Sequence, residues 1–426
     1  MSPSPPEPRP PSVDRLVREM NGVDLPHPLL VEAAREALAA GDPGSGGDRA
    51  RALARSLLGV VVNGTGVIVH TNLGRSPLPT LSTGPYTNLE LDLESGRRGS
   101  RQTGVGGLLA RLTGAEAALV VNNGAAALVL VLAALAPGRA VVVSRGELVE
   151  IGGGFRLPEI LTASGARLAE VGTTNRTRLS DYGAAMAADP DVALVLKVHR
   201  SNYRVVGFTA EVGVAELTGL GPPVVYDIGS GLLDADTPWL GGPPPPWLTG
   251  EPGARQSLAQ GAALVTFSGD KLMGGPQAGV IAGRADLVEA AAAHPLARAL
   301  RPGGLVLNAL QEVCLTYLRK EKVPFWAMAT TGTEELQARA TRIVEKVAGV
   351  GSAVWSVCEC QSVPGGGSLP GTEIDSVGLS APGDHRAALL RAPVPVVTRV
   401  RDDRTIIDLR TVEPDQDADV VVALTL

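Results

Sequence analysis

Hydrophobic positions along this 426-residue chain change their spacing twice. Between Ser12 and about Val61 they recur at helical intervals in SVDRLVREM and HPLLVEAAREALAAG, interrupted by Pro26 and Pro28 and ended by Gly41 and Pro43. That pattern predicts a small helical module. From Asn63 the chain becomes a series of short apolar runs, each closed by a polar or glycine turn and followed by a helical stretch. The clearest are AALVV (117–121), AVVVS (140–144), VALVLKV (192–198), PVVYDIG (223–229), AALVTFS (262–268) and AGVIAG (278–283). Near-continuous apolar strands alternating with helices predict an α/β fold with a mostly parallel sheet covered on both faces.

The apolar stretch from Ala125 to Ala136 follows Asn122-Asn123 and is too short for a bilayer span, so it predicts a buried helix. Four consecutive prolines between glycines make GGPPPPWLTGEPG (241–253) a loop. Beyond Pro302, LVLNALQEVCLTYLRKE and TEELQARATRIVEKVAGV have helical spacing, and TIIDLRTV (405–412) and VVVALTL (420–426) read as strands. The expected organisation is a disordered proline-rich tip (1–11), a helical module (12–62), a large α/β domain (63–305) and a small α+β C-terminal domain (306–426).

Composition narrows the chemistry. Three cysteines, Cys314, Cys358 and Cys360, are too few for a disulfide framework and lack zinc-site spacing, so reduced thiols and no metal are expected. The N-terminus has no signal core, which predicts a cytoplasmic protein without a membrane segment. A net charge of −6 offers no global field for DNA or RNA, so an RNA partner must meet a local arginine cluster.

Only five lysines occur: Lys197, Lys271, Lys320, Lys322 and Lys346. The last three lie in charged helical segments and read as solvated. Lys197 ends a strand beside His199 and Arg200, and could line a site or serve structure. Lys271, in FSGDKLMGG, follows an apolar strand at the place where parallel sheets carry their ligands. A lysine that binds an aldehyde cofactor must be neutral at working pH, which burial and a neighbouring cation favour. Upstream, VVYDIGSG sets Asp227 at a strand end, either opening a turn or holding a pyridinium nitrogen. Further upstream, a helix begins near Gly124 after Asn123, where free N–H groups favour phosphate. In chain order these parts resemble a pyridoxal-phosphate (PLP) enzyme of the aspartate-aminotransferase fold.

Denser motifs resemble one family, bacterial selenocysteine synthase. They include PSVDRLVRE (11–19), NGTGVIVHTNLGRSPL (63–78), NLELDLESGRRGSR (88–101), LTGAEAALVVNNGAAA (112–127), RGELVEIGGGFRLPEI (145–160), KVHRSNYRVVGFT (197–209), FSGDKLMGGPQAG (267–279), HPLARALRPGGL (294–305) and GGGSLPGTE (365–373). The resemblance implies conversion of L-seryl-tRNA(Sec) to L-selenocysteyl-tRNA(Sec), with pyridoxal 5'-phosphate as cofactor and selenophosphate as selenium donor. It implies Lys271 and Asp270 as catalytic residues, with Lys271, Asp227, Asn123, Gly124, Ala125 and Ser268 around the cofactor. Arg75, Arg298 and Arg301 resemble the family's donor-binding arginines, and guanidinium forks suit tetrahedral oxyanions. The spacing of Arg298 and Arg301 predicts one shared helical face. Arg97, Arg98 and Arg101 form a positive patch for phosphate or tRNA, or a solvated loop.

The resemblance also implies a tRNA-binding role for the N-terminal module and a homo-oligomer, a ring of dimers. Seven arginines against eight acids in residues 1–61 give the first implication no support from charge. Where the family carries an aromatic-x-His stretch, this chain has Gln102-Thr103-Gly104, and the glycines between Gly96 and Gly107 predict a flexible segment. Two alternatives remain open at this level: a PLP lyase or transferase acting on a small amino acid, and a noncatalytic PLP-binding homologue.

Overall fold

The computed structural model describes residues 11–79, 86–151, 155–351 and 353–425. The expected tip therefore lies outside the described residues, except Pro11. Two compact units are separated at Val61/Val62. In the first, helices Val13–Glu19, His27–Ala39 and Gly46–Ser56 enclose Leu16, Met20, Leu25, Ala33, Ala34 and Ala50. Ser12 caps the first of these helices by accepting the Arg15 N–H.

The second unit is built on a seven-stranded sheet. Its spatial order is Ala117–Val121, Gly279–Gly283, Leu264–Ser268, Val224–Gly229, Val192–Val198, Ala140–Ser144 and Arg167–Val171. Gly279–Gly283 runs antiparallel to both its neighbours, and the pairings of the other strands are parallel. Alternation explains the two-sided burial: Ala140 and Val142 pack into one apolar cluster, while Val141 and Val143 pack into the other. Helix Gly124–Leu135 buries Ala127, Leu128, Val131 and Leu132 against the second cluster. No described helix is long and apolar enough to cross a membrane.

A second, five-stranded sheet runs Arg399–Arg401, Arg404–Asp408, Ile374–Pro382, Ser356–Gly365 and Val67–Val69. Val67–Val69 pairs parallel with Ser356–Gly365, so a segment from the start of this unit completes the C-terminal sheet.

Three expectations are corrected. The run at 420–426 is not a strand: Asp417–Thr425 is a helix, burying Val420, Ala423 and Leu424 at helical spacing and exposing Val422. Asp417 in its first turn pairs with Arg339 at 2.6 Å, and a short apolar run alone does not separate helix from strand. The strand expected over 405–412 stops at Asp408 and turns into a 3-10 segment, Leu409–Thr411. The end of the segment expected to be flexible, Thr103–Gly107, instead opens the helix Thr103–Thr113, where Val105, Gly106, Leu109 and Ala110 are buried. A Cβ on Gly106 would lie 2.6 Å from the Ala118 carbonyl oxygen, so this glycine serves close packing.

Leu194 is fully buried in the central part of the large sheet. Leu194→Ala should lower stability by about 2–5 kcal/mol, read as a fall in the thermal unfolding midpoint.

Candidate active site

The strand Leu264–Ser268 delivers Ser268-Gly269-Asp270-Lys271 to the carboxyl end of the large sheet. The turn is fixed by its backbone: Gly274 N–H donates to the Lys271 carbonyl at 2.8 Å, and Leu272 N–H to the Ser230 carbonyl at 2.9 Å. Ser76 Oγ also donates to the Lys271 carbonyl, at 2.9 Å. These contacts leave Lys271 only 5% exposed. Burial lowers its amine pKa; Asp227 opposes the shift and the Arg75 charge adds to it.

Asp227 lies on the adjacent parallel strand, in register with Thr266. Thr266 Oγ1 donates to Asp227 Oδ1 at 2.9 Å. Asp227 keeps some accessible surface, but dense surroundings raise its carboxyl pKa, against the lowering effects of Thr266 and Lys271. Asp270 is buried and pairs with Arg75 Nη1 at 2.6 Å through Oδ2. Arg75 achieves this from a left-handed backbone conformation, φ 68°.

Helix Gly124–Leu135 starts beside the same strand. Asn123 caps it by accepting the Ala126 N–H at 2.8 Å, leaving the Gly124 and Ala125 N–H groups without partners inside the helix. A Cβ on Gly124 would stand 2.7 Å from Ser268 Oγ, so the glycine lets helix start and strand end meet. Asn123, Gly124 and Ser268 thus converge.

A fourth element arrives from the C-terminal part of the chain. Gly367, at φ +79°, lies so close that a Cβ there would be 3.0 Å from Lys271 Nζ. Among the described residues, the hydroxyl of the next residue, Ser368, is buried without a hydrogen-bond partner, and so are Ser230 Oγ and the carboxylate oxygen Asp270 Oδ1. Unpaired buried polar atoms around a buried amine are donor and acceptor capacity for a ligand. Together with the carboxyl of Asp227 and the open helix start, this donor set fits a phosphorylated pyridine aldehyde.

The arginines separate into two groups. Arg298, Arg301, Arg98 and Arg101 line one cavity of about 290 Å³ with Glu90. Glu90 takes Arg98 at 2.6 Å and Arg301 at 3.4 Å, and Arg101 reaches it through both Nε and Nη2. Hydrogen bonds from Arg101 and Arg98 hold the Glu90 carboxyl pKa below its usual range. Arg75 is not in this lining; it stands at Asp270. Arg97 is exposed and does not line the cavity. The shared helical face expected for Arg298 and Arg301 is corrected: the helix is Pro295–Ala299, and Arg301 lies beyond its end. Both side chains nevertheless line the same cavity.

Lys197 fits both readings: it is buried and held 3.0 Å from Glu147, and it also lines a cavity of about 470 Å³. Glu251 and His199 carry no local mark in the sequence; their Oε2 and Nε2 are 3.3 Å apart, and the His199 N–H donates to the Asp227 carbonyl at 2.8 Å. Sequence reasoning also missed the function of Gln102. That side chain donates to the Val120 carbonyl at 2.9 Å and accepts the Val120 N–H at 3.1 Å, pairing with the outer strand of the sheet.

A model of the L-seryl-tRNA selenium transferase family matches residues 61–413. The L-seryl-tRNA(Sec) selenium transferase of Geobacter sulfurreducens is 44% identical, with 97% of each chain covered. That of Moorella thermoacetica is also 44% identical, covering 87% of this chain and 82% of its own. The solved structure of a D-glucosaminate-6-phosphate ammonia-lyase shares the fold, with a TM-score of 0.57 at 18% identity over 86% of this chain and 95% of that one.

Three outcomes follow from the geometry. Attachment of added pyridoxal phosphate, followed by absorbance, should accelerate as pH rises and level off below the ordinary lysine range, because the buried amine sheds its proton early. Arg75→Ala removes a charge that lowers this pKa and should move the midpoint to higher pH. Gly367→Ala combines a strained φ with a crowded Nζ and should slow attachment roughly tenfold or more, with the unfolding midpoint reporting any general damage.

Proposed function

This chain belongs to the L-seryl-tRNA selenium transferase family, and from that premise we propose how its residues carry the reaction. The protein converts L-seryl-tRNA(Sec) to L-selenocysteyl-tRNA(Sec). The observation that carries the assignment of roles is the enclosed amine of Lys271 between Asp227 and the Arg75–Asp270 pair.

Pyridoxal phosphate, when bound, supplies an aldehyde for the amine and a ring that accepts electrons from the seryl α-carbon. Lys271 would hold it at Nζ, Asp227 would face the ring nitrogen, and the N–H groups of Gly124 and Ala125 with Ser268 would take the phosphate. Burial of Lys271 excludes bulk water and keeps Nζ able to take the α-proton and return it to the product. Asp270, fixed by Arg75, orients the turn that carries the lysine. The serine hydroxyl would leave as water and selenium would enter from selenophosphate, whose P–Se bond is then broken by water to release inorganic phosphate; Arg298 and Arg301 supply charge-assisted hydrogen bonds to that donor. The helical unit before Val62 would engage the tRNA body, and copies of the chain would assemble into a homo-oligomer.

Purified protein supplied with seryl-tRNA(Sec), pyridoxal phosphate and selenophosphate should yield selenocysteyl-tRNA(Sec), detected by hydrolysing the product RNA and identifying the amino acid. Unchanged serine would refute the reading. Lys271→Ala should reduce turnover by roughly a thousandfold or more. Arg298→Ala should raise the selenophosphate KM by about 10- to 100-fold while cofactor absorbance stays intact.

A further inference from the structure

A cavity of about 470 Å³ opens at the carboxyl ends of the strands Val192–Val198 and Val224–Gly229. Its lining includes His199, Tyr203, Arg204, Glu251, Leu369 and Pro370. We propose that this cavity receives the 3'-terminal nucleotides of the aminoacyl-tRNA, with the last ribose at Glu251 and its base at Tyr203. The proposal rests on the seryl-tRNA reading above and specifies where the RNA end lies.

The chemistry of the substrate sets the first condition. The seryl group is an ester of the terminal ribose, so that ribose must lie within one aminoacyl group of Lys271. The cavity meets this condition from two sides. On one side Glu251 pairs with the His199 ring, and the His199 backbone N–H donates to the Asp227 carbonyl at 2.8 Å. Leu369 and Pro370 follow closely on Gly367, the residue packed against Lys271 Nζ. The volume lies in the range of pockets that hold whole small molecules and is far larger than a seryl group needs.

Glu251 is the built part of the site. It is 7% exposed, its Oε2 meets His199 Nε2 at 3.3 Å, and its Oε1 has no hydrogen-bond partner among the described residues. A carboxylate oxygen of this kind matches a ribose hydroxyl donor, the contact by which acidic residues hold nucleotide sugars.

The mouth suits a single strand. Tyr203 is 37% exposed, with its hydroxyl tied to the Gly146 carbonyl at 3.2 Å, which leaves its ring at the opening. Arg204 is exposed and forms no ion pair among the described residues; it reaches Thr372 Oγ1 at 3.4 Å. Four positions after Arg204 in the chain, Phe208 is 88% exposed, whereas Phe267 and Phe325 are fully buried. Aromatic rings beside an unpaired guanidinium are the elements that bind unpaired nucleotides, by stacking and by neutralising phosphate.

The test uses the full-length holoenzyme and two fluorescent acceptor-stem hairpins, one with a single-stranded 3' tail and one blunt, compared by anisotropy. The wild type should prefer the tailed hairpin by roughly tenfold or more. Tyr203→Ala and Arg204→Ala should each erase most of that preference while binding the blunt hairpin as the wild type does. A tail ending in a 2'-deoxy nucleotide should bind the wild type more weakly, and Glu251→Gln should blunt that discrimination. No tail preference in the wild type, or a preference untouched by all three variants, overturns the proposal. So does a fall in assembly mass of Tyr203→Ala with tail preference retained, which makes the mouth a contact between copies. Parallel conversion of seryl-tRNA(Sec) by the wild type separates the levels: if conversion succeeds and the tail has no effect, only this subsite is lost.

Discussion

Removing one amine from water is the constraint around which this molecule is organised. An isolated buried ammonium is costly, and proteins relieve the cost by pairing the charge or discharging it. Two lysines at strand ends show both solutions. Lys197 is paired with Glu147 at 3.0 Å and also lies 5.7 Å from the centre of the Tyr226 ring. Lys271 has no carboxylate within ion-pair distance among the described residues, and its amine is driven toward the neutral form. The first is held in an ion pair, and the second is the amine to which the reaction is assigned above.

Enclosing that amine requires elements distant in sequence. Ser76, Asp227, Ser230 and Gly367 all contact or approach the turn that carries Lys271. Val67–Val69, paired with Ser356–Gly365, leads toward both Arg75 and Gly367, so the C-terminal sheet brings two walls of the pocket together. The pocket is consequently a product of the whole second unit.

The strands of the large sheet were legible because each is an apolar run bounded by turn residues, and Lys271 was legible because it follows one. Asn123 and Gly124 were legible for the same reason, as a strand end meeting a helix start. Glu251 was hidden because it lies within the proline-rich loop 241–253, which has no periodicity, and its pairing with His199 spans 52 residues. The contact of Val67–Val69 with Ser356–Gly365 left no local trace either, since parallel pairing across so long a separation is set by tertiary packing. The 417–425 helix was misread because three valines in succession suit either period, and only the burial of Val420, Ala423 and Leu424 decides between them. The glycines before Thr113 suggested mobility, whereas at Gly106 the missing side chain permits contact with the Ala118 backbone.

Gln102 has a mechanical consequence. Its amide takes the place of a peptide group alongside Val120, on a strand that runs directly into Asn122-Asn123 and the start of the helix at Gly124. Its immediate neighbour Arg101 is anchored to Glu90 and to the Pro302 carbonyl. The arginine-lined cavity and the helix start are therefore joined by a short, stiff linkage of one side chain and one strand. A displacement of the arginine loop would be felt along that strand at the helix start.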